Sequence, residues 1–222
     1  MSVKWSYSSM SLFQQCPKKY YHLRVIKDIK DPPSDQLRYG LQVHKAAEEY
    51  VRDDVPIPAP FIYMKDALDK LKATTGVVYC EHKMGLTQDL RPCKFEDADA
   101  WWRGIADLLV VDGSVARIVD YKTGKNTYPD TQQLELLSLA TFKHFPEVKV
   151  VKAGLLFMVH PSLVKETYRE EEQTERWKKW IQKSEELESS MLYNVWNPKQ
   201  NFTCRSWCPV LACAHNGRSN WD

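Results

Sequence analysis

An α/β fold with a mixed sheet is predicted for this chain from three features. Residues 104–125, GIADLLVVDGSVARIVDYKTGK, form two Val-, Ile- and Leu-rich arms around a Gly-containing turn, the pattern of a β-hairpin. Val148 to Val159 is a β-branched, apolar run of the kind that makes a strand buried on both faces. Helical patterns precede, separate and follow these segments. The order helix, helix, strands, helix, strand, helix is that of helices layered on a sheet.

Taken in order, WSYSSMSLFQQCPKKYYHLRV predicts a short helix, with a serine of the Ser6-to-Ser9 run as its N-cap and Met10 and Phe13 on its apolar side. Asp31-Pro32-Pro33-Ser34 breaks the chain. A helix follows from Asp35 to Arg52 and ends at the proline-rich segment Pro56 to Pro60, and residues 62–73 read as a further amphipathic helix. Val77 to Glu81 is expected as a strand, with another near Lys94-Phe95 before Trp101 enters the hairpin. Pro129-Asp130 precedes a helical pattern from Thr131 to His144. Glu170 to Leu192 predicts a long charged helix with Trp177, Trp180, Ile181 and Leu187 facing inward, and a cysteine-bearing tail closes the chain.

The hairpin carries chemistry. A two-residue turn at Asp112-Gly113 would pair Val111 with Ser114, placing Asp107 opposite Ile118 and Ile105 opposite Asp120. Side chains alternate along each strand, so Asp107, Asp120 and Lys122 would project from one face, and Ala106, Leu108, Val119 and Tyr121 from the other. A loop with an odd number of residues would instead send the two aspartates to opposite faces. Asp107 and Lys122 could simply form a cross-strand ion pair. Burying three ionisable groups among apolar neighbours is costly, however, unless something compensates. A hard divalent cation would compensate, since it selects carboxylate oxygens and keeps positions open for water and phosphate. A nearby lysine could then orient or deprotonate a metal-activated water.

At 222 residues and 43% hydrophobic, the chain can bury a substantial core. A formal net charge of +2 provides no general basic field, so any nucleic-acid contact must come from local patches. No apolar run is long enough to span a bilayer and no N-terminal signal pattern is present, so a soluble, cytoplasmic protein is expected. Six cysteines in such a chain argue for metal or cluster ligation over disulfides.

Three further residues could join the hairpin. His44 and Glu48 lie four apart, on one helical face with Leu41 and Val51, and Gly40 just before them permits close backbone approach. Gln133 falls in the first turn of the helix after the hairpin, beyond a Thr131 N-cap. Alone, His44 reads as a hydrogen-bonded core histidine, Glu48 as a surface or capping carboxylate and Gln133 as an exposed amide. Together, G-x-x-x-H-x-x-x-E at 40–48, G-x-x-D at 104–107, D-Y-K-T-G-K at 120–125 and Q-L at 133–134 resemble the PD-(D/E)XK nuclease superfamily. The likeness is to its RecB-like, CRISPR-associated-exonuclease-like branch of the phage type, and it covers nearly the whole chain.

The resemblance implies a restriction-endonuclease-like α/β core, a central mixed sheet flanked by helices. It implies a single nuclease domain with an N-terminal helical part (1–75), a catalytic core (76–160) and a C-terminal helix with a cysteine-rich tail (161–222). Asp107 and Asp120 would be metal ligands for Mg²⁺ or Mn²⁺, with His44 as a further ligand and the backbone carbonyl of Tyr121 facing the metal. Lys122 would be the catalytic lysine, and Gln133 would help position the lysine or the DNA. Position 137 is leucine where the family often has tyrosine. Glu81 resembles a glutamate that many relatives carry on the strand before the hairpin, although an ordinary strand-edge charge would look the same.

Cys204, Cys208 and Cys213 stand close enough in the tail to act as ligands, and thiolates suit zinc or iron–sulfur clusters. The resemblance supplies Cys16 as the fourth ligand of a [4Fe-4S] cluster that staples the chain ends. The tail spacing departs from the x2-then-longer pattern of such relatives. Zn²⁺ on the three tail cysteines and His215 is the alternative. Cys80 and Cys93 lack partners at ligand spacing and read as buried or free thiols.

Lys125, just past the D-x-K, is placed to meet a phosphate. Lys18, Lys19, Tyr20 and Tyr21 interleave charge and aromatics, either as a strand-binding patch or as core tyrosines with solvated lysines. The implied activity is a DNA exonuclease on single strands or duplex ends, working with recombination or replication partner proteins, in the host-cell cytoplasm if phage-encoded. Cleavage polarity and oligomeric state stay open. The alternatives are a CRISPR-associated nuclease trimming DNA before spacer integration, and a catalytically silent, metal-stapled DNA-binding or interaction module. Buried acids that repel phosphate argue against the silent module.

Overall fold

The computed structural model describes residues 3–30, 34–125 and 127–218. Most of the expected break at Asp31–Ser34 lies outside these residues. The helices are α1 (Tyr7–Gln15), α2 (Pro17–Tyr20), α3 (Asp35–Asp53), α4 (Lys65–Lys72), α5 (Gln132–His144) and α6 (Gln173–Tyr193). The strands are β1 (Val77–Leu86), β2 (Pro92–Cys93), β3 (Trp102–Asp112), β4 (Val115–Lys122), β5 (Val150–Phe157) and β6 (Ser162–Arg169). Contacts divide the chain into two compact units, Ser34–Trp177 and, together, Met1–Pro33 with Lys178–Asp222.

The first unit holds one six-stranded sheet in the order β2-β1-β3-β4-β5-β6. All pairs are antiparallel except β4–β5, which run parallel and are joined through α5. A parallel pair needs such a crossover, and this one gives the sheet its mixed character. The predicted α/β class with a mixed sheet is the fold observed.

The hairpin closes one step later than Asp112-Gly113 predicts. Asp112 pairs with Val115, and Gly113-Ser114 form the loop. Gly113 has φ +56°, the left-handed conformation that the first position of a II′-type hairpin loop reserves for glycine. The shift moves every partner by two residues, so the pleat keeps each side chain on its expected face. Asp107 and Asp120 still share a face, now directly across from one another instead of diagonally.

Other boundaries moved for local reasons. β1 continues to Leu86 instead of stopping at Glu81, because pairing lapses at Glu81 and resumes with His82 against Ala106. The short strand expected at Lys94-Phe95 lies at Pro92–Cys93. Thr131 caps α5 without a side-chain hydrogen bond; Asp130 Oδ1 instead accepts from the Gln132 N–H at 3.0 Å. The long helix starts at Gln173, after a 3₁₀ turn at Glu170–Glu172. Strand β6 had no sequence signal: it is an edge strand along which only Tyr168 is buried, so no apolar alternation marks it. Nor is β5 buried on both faces throughout, since Lys152 is exposed.

Helix α3 packs Val43, Ala46 and Ala47 onto Leu108, Val110, Val119 and Tyr121 of the sheet. That face is rotated from the expected one, and Leu41 is 64% exposed. Gly40 also differs from expectation. A Cβ there would meet Thr123 Oγ1 at 3.5 Å, an ordinary contact. Gly40→Ala is therefore expected to raise stability by about 0.5–1 kcal/mol through helix propensity, read as a higher denaturation midpoint. A loss of stability would show that the close approach matters after all.

Tryptophans anchor α6 in each unit. Trp177 faces Trp101 in the first unit with ring centroids 6.3 Å apart, and Trp180 stacks on Trp5 at 6.0 Å in the second. Leu187 is buried as expected, but Ile181 is 36% exposed and does not face inward.

Candidate active site

Three neighbouring strands each place one carboxylate on the same row. Cys80 pairs with Leu108 and His82 with Ala106, so Glu81 of β1 stands against Asp107 of β3. Continuing one residue from Leu108↔Val119 sets Asp107 against Asp120 of β4. Regular pairing lapses at Asp107 on both sides. On one side the Asp107 carboxylate itself accepts the Tyr121 N–H at 2.7 Å, replacing a ladder bond with a side-chain one. On the other, Glu81 has φ +48°, a conformation that L-residues with long side chains seldom adopt. Strained backbone at a cluster of acids is a mark of a functional site.

His44 reaches this row from α3. Its Nε2 lies 2.9 Å from the Tyr121 carbonyl oxygen and its Nδ1 3.3 Å from Asp107 Oδ1. One ligand atom each from His44, Glu81 and Asp107 falls within 4.8 Å of the others, close enough to hold one ion. Lys122 completes the row's far end. Its Nζ lies 2.6 Å from Asp120 Oδ2 and donates to Gln133 Oε1 at 3.1 Å. Asp120 is 3% exposed, and the Lys122 ammonium is the one partner of its Oδ2 among the described residues, which leaves that oxygen a further lone pair. A buried carboxylate oxygen with an unfilled lone pair fits a hard divalent cation.

The electrostatics follow from this crowding. Burial first, and then the charge of Asp107, push the Asp120 carboxyl above the usual carboxylate range. The same two causes raise Glu81 to about 6. Burial acts to lower the His44 pKa, but the hydrogen bond and charge of Asp107, with Asp120 and Glu81 behind it, raise it overall. These are the shifts expected where several acids crowd into one buried site, and the charges of Lys122 and His44 offset them only in part.

Of the residues singled out from sequence, His44, Asp107, Asp120, the Tyr121 carbonyl, Lys122 and Gln133 come together here. Glu81 joins them. It was missing from the core motif because only a likeness between strands pointed to it. Glu48 lies aside, ion-paired with Arg52 one turn on. Lys125 is exposed beyond the end of β4.

Tyr20 cannot stack on a base, because it is buried in the second unit. It lies edge-on to Phe13 at 5.6 Å and stacks on Trp196 at 6.0 Å. Lys18 and Lys19 are half-buried, and Lys19 donates to Gln15 Oε1 at 3.3 Å. Elsewhere in this unit Cys16, Cys204, Cys208 and Cys213 line one small cavity with His215. The Lys199 N–H points at Cys16 Sγ (3.4 Å) and the Asn201 N–H at Cys204 Sγ (3.5 Å).

The mixed sheet thus carries acids, a lysine and a glutamine on adjoining elements, with a His44–Glu81–Asp107 group that could hold a metal ion. The family model for the PD-(D/E)XK nuclease superfamily matches residues 4–213, and the chain belongs to that superfamily. It is a nuclease, of a group that works with divalent metal ions. A solved structure from Eubacterium rectale, whose name assigns it provisionally as an exonuclease, is 14% identical, with 97% of this chain and 87% of that one covered and a TM-score of 0.54. It shares the fold. Another, SSO0001, is 10% identical over 96% of this chain and 87% of its own, with a TM-score of 0.45. No curated protein matches the chain.

A stability prediction follows from the raised carboxyl groups. Glu81 keeps its proton in the folded chain until about pH 6 but loses it nearer 4.5 when unfolded, and Asp120 is shifted in the same direction. Between those values the folded state binds more protons, so stability falls as pH rises. His44, raised in the folded state, likewise stabilises at low pH and loses that contribution as pH climbs through its folded value. In chelator, thermal stability should therefore decline from about pH 4.5 to 7, and Mg²⁺ or Mn²⁺ should restore it most at the upper end. Melting curves with and without metal check this; equal metal effects at both ends of the range would contradict it.

Proposed function

We propose that the chain is a deoxyribonuclease dependent on Mg²⁺ or Mn²⁺, and that it acts as an exonuclease in DNA processing or recombination. The observation that carries the reading is the row Glu81–Asp107–Asp120, flanked by His44 on one side and the Lys122–Gln133 pair on the other. His44, Glu81, Asp107, Asp120 and the Tyr121 carbonyl would hold the cation. When bound, the ion supplies a Lewis acid for a phosphate oxygen and lowers the pKa of water. Asp120 holds Lys122 by charge and Gln133 holds it by hydrogen bond, so its ammonium is aimed where charge develops on the scissile phosphate. Lys125 is the proposed phosphate contact beside this row; Lys18 and Lys19 are proposed phosphate contacts of the second unit taken by itself. The exonuclease character of the Eubacterium rectale protein's name is in keeping with this reading.

The cysteine cavity is read as a [4Fe-4S] site. Backbone N–H groups directed at Cys16 and Cys204 suit thiolate ligands, whose charge they stabilise.

The test uses the full chain purified without oxygen. DNA labelled at either end is incubated with Mg²⁺, Mn²⁺ or chelator, and the visible spectrum and metal content are recorded. Metal-dependent shortening from an end and a brown, iron-bearing sample are expected. Absence of cleavage with either metal would overturn the nuclease mechanism, and a colourless sample with stoichiometric zinc would replace the cluster.

A further inference from the structure

The face of the sheet packed by α3 and α4 holds a second cavity, of about 320 Å³, that the proposed hydrolysis does not use. Helices α3 and α4 cover the β3–β4 part of this face, and Lys152 and Lys165 stand exposed on β5 and β6. Arg117 pairs across with Lys152, while Val119, Gly154 and Lys165 form the next row. All these side chains therefore point to the same face, and the two rows put three cations around the cavity. Arg117 Nη1 is buried there without a hydrogen bond, its nearest acid being Asp112 at 3.8 Å. Glu166, the one acid among the lining residues, stands on the row of Ala153, whose side chains face the other way. The accessible apolar lining is Leu163 and the half-buried Leu71, with the buried Leu108, Val110 and Val119 at its floor. Leu163 leans over Gly154, where a Cβ would come within 2.8 Å of its Cδ1.

We propose that this cavity binds a nucleoside phosphate, with the phosphate on Arg117, Lys152 and Lys165 and the base on the apolar side chains beside them. A buried guanidinium nitrogen that has no hydrogen bond and only a long ion pair to Asp112 can still take an anion, and Arg with Lys is the usual phosphate-binding combination. The apolar side chains of Leu71 and Leu163 beside the cations suit a heterocycle attached to that anion. The volume falls in the range of small-ligand sites, about 300–1,000 Å³. The wall made by Leu71 and Thr74 of the α4 segment suits a free nucleotide or a strand end better than a continuous strand. The proposal does not depend on the assignment of the acid row.

The test is calorimetric titration of the full chain in chelator with deoxyadenosine monophosphate, a 5′-phosphorylated trinucleotide and inorganic phosphate. Both lysines are exposed, so the Lys152→Glu/Lys165→Glu double variant should fold; Lys152→Ala/Lys165→Ala is the milder companion. Wild type should bind the mononucleotide or the trinucleotide, and the tighter of the two identifies the source of the ligand. Each double variant should weaken binding about tenfold or more, the value of one charge-assisted hydrogen bond. Asp120→Asn should leave binding unchanged. No binding at millimolar nucleotide, loss in Asp120→Asn but not in the lysine variants, or equal affinity for phosphate alone would each overturn the proposal.

Discussion

Asp120→Asn is expected to reduce metal-dependent cleavage roughly a thousandfold while the chain stays folded. Asparagine keeps the shape of the side chain but removes the charge that would hold both the cation and Lys122, whose Nζ lies 2.6 Å away. Because Asp120 is buried with its carboxyl pKa raised, neutralising it relieves repulsion from Asp107. In chelator the variant should therefore melt no lower than wild type, and above about pH 6 it should melt higher. Lys122→Ala should show a comparable loss of cleavage with metal binding retained, since the lysine is no ligand. The pair separates the two roles. Activity near wild type in Asp120→Asn would remove that carboxylate from the mechanism.

Gly104→Ala carries the largest expected effect on stability. A Cβ at Gly104 would lie 2.5 Å from Trp102 Cη2, 2.6 Å from its Cζ2 and 3.1 Å from Leu137 Cδ2. Trp102 is 1% exposed and Leu137 2%, so neither side chain has free space to move into. Overpacking of this kind costs about 1–3 kcal/mol, and a fully enclosed indole places the change at the upper end. Chemical denaturation should show the loss, against the small gain expected for Gly40→Ala. The two motif glycines thus have different reasons to be there. Gly104 makes room for a tryptophan two residues before it, and the ring it accommodates packs on the same strand that presents Asp107. A silent Gly104→Ala would mean that the indole has another site to occupy.

What could be read in advance was set by periodicity. A hairpin alternates with period two, so the shared face of Asp107, Asp120 and Lys122 survived a register error of two residues. The error itself arose because Asp112-Gly113 and Gly113-Ser114 are both credible two-residue turns, and only the φ of Gly113 within the fold decides between them. Glu81 could not be placed by pattern, since a glutamate with left-handed backbone breaks the very alternation by which strands are recognised. Strand β6 was invisible because most of its side chains meet solvent. Tyr20 beside two lysines read equally as surface or core, and its partner Trp196 lies far away in sequence. The tail cysteines were visible as a group by spacing, whereas Cys16 entered only through family likeness; in the fold it lines their cavity.

The central claim is that His44, Glu81, Asp107 and Asp120 hold a divalent cation on one row of the sheet. Titration of Mn²⁺ into metal-free wild type and Asp107→Asn measures it most directly, because Asp107 stands in the middle of that row and touches His44. Binding by wild type, weakened about a hundredfold or more in Asp107→Asn, is the predicted result. Equal Mn²⁺ affinity in the two proteins would contradict it.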